Sequence, residues 1–163
     1  RLEGLTDSKQ LSPRARERWS VLIKQTALAW SVGWAGPGEI DRLNILQASL
    51  LAMQRAYAVL GMVPGLALID GQHCPALPCA SEAVVGGDRS IPAISAASIL
   101  AKVARDHEMQ AADALFPGYG FATHKGYPTA AHRAALERLG LCPLHRRSFG
   151  PVKQLMARAT QRA

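Results

Sequence analysis

The stretch Leu66-Ala-Leu-Ile-Asp-Gly71 is a short apolar run that ends in an acid and a glycine. A run of this length, bounded by turn residues, predicts a buried strand with Asp70 at its exit. A second short strand is predicted over Ala83–Val85, and two glycines and Asp88 follow it. Two strands that each end in an acid beside glycine therefore define the first candidate site.

The region before these strands predicts one helix and one more strand. Ser12 and Pro13 form an N-cap with proline at the first helical position, and Trp19 and Ile23 continue a helical apolar stripe. Large apolar residues then alternate with small ones over Leu28–Trp34, which is the period of a strand.

The remaining segments are mostly helical in pattern. Asp41 is predicted to cap a helix whose apolar positions run from Leu43 to Leu60, and Gly61 is placed to end that helix. Further helices are predicted over residues 95–115, behind Pro92, and over 129–140, between Thr129 and Gly140. Mixed strands and helices indicate an α/β or α+β class.

The composition favours a polyanionic partner. The 163 residues include 19 basic residues, 14 of them arginine, and 12 acidic residues, which gives a net charge of +7. A cationic domain of this size points first to nucleic acid and second to a membrane surface. No apolar stretch approaches the ~18 to 20 residues of a membrane span. No leader pattern precedes the first helix.

The chain has three cysteines, Cys74, Cys79 and Cys142. An odd number without a secretory leader favours reduced thiols and a cytoplasmic protein. A zinc cluster that also uses His73 and His145 is the alternative, but the spacing of the first two cysteines lacks the usual tight C-x2-C knuckle.

Asp70 and Asp88 are the candidate metal ligands. Glycine beside each acid leaves the carboxylate approachable, and oxygen ligands suit a hard divalent cation that keeps water and phosphate oxygens in its shell. Two ions held this way would serve phosphodiester hydrolysis. The alternative is that each acid beside glycine is only a turn former.

Two further clusters are candidates for phosphate and sugar contacts. The segment His124–Tyr127 places the cation of Lys125 and the ring of Tyr127 around a glycine, a combination suited to a phosphate and a stacked sugar or base. The alternative is a surface loop with Tyr127 packed on the core. Arg146 and Arg147 form a compact basic pair, either a phosphate clamp or part of a solvated tail.

Other enzyme classes lack support in the sequence. The chain has no G-x-S-x-G elbow of a serine hydrolase. It has neither a G-x4-G-K-[ST] phosphate loop nor a G-x-G-x-x-G dinucleotide fingerprint.

The chain resembles bacterial ribonuclease HII, the type 2 ribonuclease H family. The most specific matching stretch is the 13 residues from Ile91 to Val103, and the matches run in family order over nearly the whole chain. The other matching stretches are residues 4–12, 39–47, 68–71, 118–121, 124–129 and 145–149.

The resemblance implies a fold and an activity. The fold would be α/β, a ribonuclease-H-like mixed sheet flanked by helices, and residues 1–163 would form a single domain with 117–163 as its helical, basic extension. The activity would be cleavage of the RNA strand of RNA–DNA hybrids and nicking 5′ of ribonucleotides embedded in DNA, as in ribonucleotide excision repair. The full-length protein would be a cytoplasmic monomer without a membrane partner, and its cofactor would be Mn²⁺ or Mg²⁺.

The resemblance also implies roles for particular residues. Asp70 matches the third and Asp88 the fourth of the family's four metal-binding acids, which makes both of them catalytic. Tyr127 matches the tyrosine that packs on the sugar after the ribonucleotide. The candidate phosphate contacts of the chain, beside those roles, are Lys9, Lys125, Arg146 and Arg147.

The sequence departs from the family pattern in one motif. The family's first two acids belong to an Asp-Glu-x-Gly-Arg-Gly motif, and this sequence contains neither an Asp-Glu dipeptide nor Gly-Arg-Gly. We therefore expect an N-terminally truncated member whose first strands are missing, with a gap beside the strand predicted near residues 27–34. The alternative function is a non-catalytic, nucleic-acid-binding fragment, and we expect this chain alone to be inactive.

Overall fold

The computed structural model describes residue 5 and residues 8–160. The chain divides into two units, the first formed by residues 1–34 and 49–104 and the second by residues 35–48 and 105–163. Within the described residues the elements are α1 (Pro13–Thr26), α2 (Pro37–Leu43), α3 (Ile45–Ala58), β1 (Leu66–Asp70), β2 (Ala80–Val84), α4 (Gly87–Ser90), α5 (Pro92–Leu115), α6 (Phe121–His124), α7 (Ala130–Leu139) and α8 (Gly150–Thr160).

The predicted start of the first helix is confirmed. The Ser12 hydroxyl accepts a hydrogen bond from the Ala15 amide at 3.2 Å, and Pro13 occupies the first turn, where its missing amide hydrogen costs nothing. Ile23 on this helix is 2% exposed and joins Ile99 and Val103 of α5 in the core of the first unit.

The strand predicted over Leu28–Trp34 is wrong. This segment belongs to no strand, because it packs on a helix instead of a sheet. A Cβ on Gly33 would lie 1.9 Å from the carbonyl oxygen of Ala52 in α3, so only glycine permits this approach. The Ser31 hydroxyl also donates to the Ala56 carbonyl at 2.7 Å. The larger side chains of the segment remain exposed: Leu28, Trp30 and Trp34.

The single helix predicted from Asp41 is two helices. Asn44 separates α2 from α3 with a positive φ of 74°, and its side-chain oxygen accepts from the Gln47 amide at 3.1 Å. Asn44 therefore has the capping role that we predicted for Asp41, which lies inside α2. Helix α3 ends at Ala58, and Gly61, which also has a positive φ, follows in the turn.

The two strands are parallel neighbours, paired from Leu66 opposite Ala80 to Asp70 opposite Val84. The second strand covers Ala80–Val84, so the predicted Ala83–Val85 was placed too late in the chain. The first strand is half-buried with exposed ends, which contradicts the prediction of a buried strand. In the part of the chain that the structure describes, each strand has one ladder neighbour.

The second unit has a core of its own. Met109 of α5, Phe121 of α6, Leu136 of α7 and Val152 of α8 are all at most 3% exposed and belong to one apolar cluster. The Thr129 hydroxyl caps α7 as predicted, and Gly140 ends that helix. Helices around a small parallel sheet confirm the α/β class. Among the described residues, every helix is too short or too polar for a membrane span.

Candidate active site

The first candidate acid is fixed by the sheet. Asp70 is the last residue of β1, lies opposite Val84, and has an exposed side chain. The next amide, that of Gly71, donates to the Val84 carbonyl at 3.0 Å, so the ladder holds the backbone on both sides of the acid. Because the strands are parallel, their carboxyl ends lie at the same edge of the sheet. We call this the carboxylate edge.

The second candidate acid lies just past the end of β2. Asp88 is in the short helix α4, which packs against β1, and the Asp88 residue is 7% exposed. The Ser95 hydroxyl donates to the Asp88 carbonyl oxygen at 2.7 Å and ties α4 to the first turn of α5. A Cβ on Gly87 would overlap the Ile94 side chain of α5 and lie 3.3 Å from Cβ of Val84, so glycine there allows α4 to pack closely against α5 and the end of β2.

Lys9 is the third predicted site residue at this edge. Its ammonium nitrogen lies 3.7 Å from Oδ2 of Asp88, and its side chain is 77% exposed while that of Asp88 is 10% exposed. In such an arrangement the exposed cation is suited to pair with a phosphate oxygen. The shielded carboxylate is suited to ligate a metal ion.

The donor chemistry of the carboxylate edge suits a hard divalent cation. Asp70 and Asp88 offer only oxygen ligands, and Mg²⁺ is commonly held by one or two carboxylates together with substrate phosphates and water. Across residue 5 and residues 8–160, no group of three or more His, Cys, Asp or Glu side chains is arranged to hold a metal ion. Two carboxylates leave most of the shell of such an ion to phosphate oxygens and water.

The tyrosine loop, residues 125–129, belongs to the second unit. Lys125 and Gly126 both have positive φ, which turns the chain sharply after α6 and brings Tyr127 out with 64% of its surface exposed. The Tyr127 amide donates to the His124 carbonyl, and its own carbonyl accepts from the Thr129 amide, both at 2.8 Å. An exposed ring argues against the alternative in which Tyr127 is part of the core.

Lys125 lies beside that ring in the chain but is directed back to α5. Its ammonium group donates to the Asp106 carbonyl oxygen at 3.4 Å, and the residue is half-buried. The loop thus directs Lys125 toward α5 and leaves the ring of Tyr127 exposed.

The arginine turn, residues 145–148, carries the last predicted pair. The guanidinium of Arg146 lies over the Phe149 ring, 4.9 Å from its centroid, and Arg147 is exposed. Asp41 of α2 holds this turn: its carboxylate accepts from the amides of Arg147 and Ser148, both at 2.8 Å. The Ser148 hydroxyl adds a third bond at 2.5 Å.

Sequence reasoning assigned Asp41 to a helix cap and missed this anchoring role. The Ser148 hydroxyl bond is the main cause that holds the pKa of Asp41 below its usual value, and the two backbone amides act in the same direction. The signal in the sequence was that Asp41 and Ser148 both fall in family-like stretches, which alone does not pair them.

Sequence reasoning also missed a cluster of three histidines under the tyrosine loop. Nδ1 of His132 lies 2.9 Å from the carbonyl oxygen of Tyr127. Nε2 of His132 lies 3.1 Å from Nε2 of His145. The ring of His124 stacks on that of His132 with centroids 4.1 Å apart. Burial is the main cause that lowers the pKa of both His132 and His145, so both are neutral at pH 7.

The fold has a counterpart among solved structures. The chain is similar to the crystal structure of the ribonuclease H2 from Pyrococcus horikoshii OT3, with a TM-score of 0.76 over 97% of this chain and 82% of that one. Sequence identity is 24%, so this likeness concerns the fold alone. The chain has the ribonuclease-H-like α/β fold that the sequence predicted.

The sequence comparisons identify the family. The ribonuclease HII family profile matches residues 1–152, and the chain belongs to that family of metal-dependent ribonucleases H. The ribonuclease HII of Nitrosococcus oceani is 57% identical over 155 residues, which are 95% of this chain and 77% of that protein. That of Azoarcus sp. strain BH72 is 58% identical, over 95% of this chain and 76% of that protein. The ribonuclease HII of Laribacter hongkongensis is 57% identical, over 98% of this chain and 82% of that protein.

Proposed function

We propose that this chain carries part of the active site of an endonuclease that cleaves the RNA strand of RNA–DNA hybrids and nicks DNA 5′ of embedded ribonucleotides. The observation that carries the proposal is the carboxylate edge. This chain belongs to the ribonuclease HII family. It has Asp70 at the end of β1 and Asp88 just beyond the end of the neighbouring parallel strand β2.

Asp70 and Asp88 are the residues that would hold Mn²⁺ or Mg²⁺. When bound in a pair, such ions supply an activated water and stabilise the leaving oxygen of a phosphodiester. In this proposal Asp70, which is exposed, meets the ion from solvent, and Asp88, which is shielded, keeps one fixed carboxylate at the edge. Lys9 places a positive charge 3.7 Å from the Asp88 carboxylate.

The substrate contacts are proposed for the second unit. The exposed ring of Tyr127 suits stacking on a sugar, and Lys125, Arg146 and Arg147 supply charge for phosphates. The net charge of +7 supports a polyanionic substrate. We propose that this substrate is nucleic acid and that the protein has no membrane partner. We further propose that the full-length protein is a cytoplasmic monomer with a single domain, extended by residues 117–163.

A second candidate function is binding without cleavage. It is favoured by the absence of an Asp-Glu dipeptide from the sequence, because the family's site uses four acids and this chain supplies two matched ones. We therefore propose that the 163-residue chain by itself binds hybrids and cleaves them little.

The test compares two proteins on three labelled duplexes. One protein is this chain, and the other is a fusion that adds an N-terminal segment with the family's Asp-Glu-x-Gly-Arg-Gly motif. The duplexes are an RNA–DNA hybrid, DNA with one ribonucleotide, and DNA alone, each incubated with Mn²⁺, Mg²⁺ or a chelator.

We expect cleavage by the fusion only with metal and only of the two duplexes that contain ribonucleotides. Asp70→Asn should nearly abolish that cleavage, because a neutral amide holds the ion poorly. Glu82→Gln is the matched control, since Glu82 is an exposed acid of β2 and lies opposite Leu68. Full turnover in the Asp70→Asn fusion would contradict the metal assignment. Metal-dependent cleavage by the unextended chain would contradict the binding-only proposal.

A further inference from the structure

We propose that His145 and His132 form a positioning link that joins the arginine turn to the tyrosine loop, so that Arg146–Arg147 and Tyr127 are placed on the substrate as one unit. This inference rests on the proposed function, because it concerns the same substrate contacts. Neither histidine is proposed to touch the substrate.

The Tyr127 carbonyl determines which atoms donate in the hydrogen bonds of His132. The carbonyl oxygen of Tyr127 only accepts hydrogen bonds, so Nδ1 of His132 must carry the proton at their 2.9 Å contact. In a neutral imidazole, Nε2 of His132 is then an acceptor. Its neighbour at 3.1 Å, Nε2 of His145, must therefore be the donor.

On the turn side, Nδ1 of His145 lies 3.0 Å from the Cys142 amide, which only donates, and 3.3 Å from the Cys142 carbonyl, which only accepts. The tautomer that the loop side requires leaves Nδ1 unprotonated, so Nδ1 accepts the shorter bond from the amide. The proton of neutral His145 is then on Nε2, where His132 needs it. The Tyr127 carbonyl thus sets one pair of neutral tautomers, and in that pair the bonds run from the Cys142 amide to the Tyr127 carbonyl.

The link between His132 and His145 is rigid and neutral. His132 is 3% exposed and its ring is stacked on His124, while the Phe121 ring packs against both members of the link. Among the described residues, the titratable groups that face the pair are His124, Tyr119 and Cys142, none of which carries negative charge at pH 7. Arg146, next in the chain after His145, adds a positive charge nearby. These surroundings oppose protonation of the pair.

The link holds the backbone of both the arginine turn and the tyrosine loop. His145 is the first residue of the arginine turn, and the Tyr127 carbonyl bonded by His132 also accepts from the Thr129 amide. The bonds reach the backbone of the tyrosine loop, so the ring of Tyr127 remains exposed for contact. A shift of the arginine turn is therefore passed to the base of the Tyr127 side chain and not to its tip.

His145→Asn is the variant that cuts the link most selectively. The asparagine oxygen takes the place of Nδ1 and still accepts from the Cys142 amide, but the side chain is too short to reach His132. His145→Gln is the rescue variant, because its amide nitrogen takes the place of Nε2 and can still donate to His132. Ala112→Gly is the control for lost stability, since Ala112 is a buried residue of α5 and glycine weakens a helix interior.

Binding of a fluorescent RNA–DNA hybrid by the 163-residue chain is the first measurement. We expect His145→Asn to raise Kd about threefold to tenfold, the effect of one lost buried hydrogen bond. We expect His145→Gln to stay within about twofold of the original chain, and Ala112→Gly to leave Kd unchanged. In a Tyr127→Ala background the further effect of His145→Asn should vanish, because the link acts through the tyrosine loop.

Hydrogen exchange separates this inference from the proposed function. In His145→Asn the Thr129 amide should exchange faster than in the original chain, whether or not hybrids bind. Faster exchange in a protein that does not prefer hybrids supports the link and refutes the proposed substrate. Unchanged exchange at Thr129, or a His145→Asn effect on Kd that persists in full in the Tyr127→Ala background, overturns the link.

Discussion

Replacing Asp41 by asparagine tests how the arginine turn is held. In the structure the carboxylate accepts from the Arg147 amide, the Ser148 amide and the Ser148 hydroxyl. Asparagine has nearly the same shape, but its NH2 group is a donor. Two donors then face each other at one of the two backbone amides, and the remaining bonds lose the charge of the acceptor.

The magnitude follows from the bonds that are lost. A hydrogen bond to a charged group contributes about 1.5–3 kcal/mol when buried, and less where solvent screens it. Asp41 is only half-buried, so we expect Asp41→Asn to lower the free energy of unfolding by about 1–2 kcal/mol. With a urea dependence of about 2 kcal/mol per molar, the midpoint falls by about 0.5–1 M. Because the pKa of Asp41 is lowered on folding, this stabilisation is complete above the ordinary value of 3.8 and is lost only as the pH falls below it.

The assay measures hybrid binding and urea unfolding side by side at pH 7. Glu39→Gln is the matched control, because Glu39 is on the same helix α2, loses the same charge, and accepts instead from the Gly36 amide at 2.9 Å. Each variant loses one negative charge, which raises the net charge by one. Non-specific attraction to the duplex therefore rises equally in both. We expect Kd for Asp41→Asn to exceed that for Glu39→Gln about fivefold to tenfold.

Equal Kd values for the two variants would refute the reasoning. They would mean that Arg146 and Arg147 bind no phosphate, or that the turn keeps its conformation without the Asp41 carboxylate. An unchanged urea midpoint in Asp41→Asn would single out the second explanation.

Four further results are expected. Tyr127→Ala should weaken hybrid binding about fivefold to 100-fold, the range of a stacking contact, with little change in the unfolding midpoint, whereas Tyr127→Phe should keep most of the affinity; parallel binding and unfolding curves check this. Binding of the hybrid should weaken linearly on a plot of log Kd against log salt, because phosphate contacts release counterions, and a flat plot would mean that the net charge of +7 is incidental. The lowered pKa values of His132 and His145 mean that the unfolded chain binds more protons below pH ~6.5, so the urea midpoint should fall as the pH is lowered from 7 to 5.5, and less so in a His132→Phe variant. Gly33→Ala should destabilise the first unit by about 1–3 kcal/mol, because the added methyl meets the backbone of α3, and an unchanged thermal midpoint would mean that the segment moves aside without cost.

Local patterns in the sequence predicted local structure well. Ser12-Pro13 and Thr129 begin helices because their side chains and backbone fit a helix start whatever lies around them. The apolar run that begins at Leu66 likewise forms a strand, because its ladder partner β2 is the next strand along the chain. The family and the fold class could be predicted because many short stretches match in order.

Features that depend on distant partners could not be predicted. The alternation over Leu28–Trp34 indicated a strand, but a strand needs a ladder partner, and the segment instead packs its glycine against α3. Asp41 has the residue type of a helix cap, yet it pairs with residues more than 100 positions later in the chain. The histidine link escaped notice for the same reason, because His132 and His145 are 13 residues apart and only the folded second unit brings their rings together.

The two-stranded sheet also bears on how the protein behaves at high concentration. In the described residues each strand has an outer edge with no ladder neighbour, and such edges tend to pair with those of other molecules. At low ionic strength the net charge keeps copies apart. In about 1 M salt, where the Debye length is only ~3 Å, that repulsion is screened. The salt wash that strips bound nucleic acid is therefore the step of a preparation at which self-association through the sheet edges should begin.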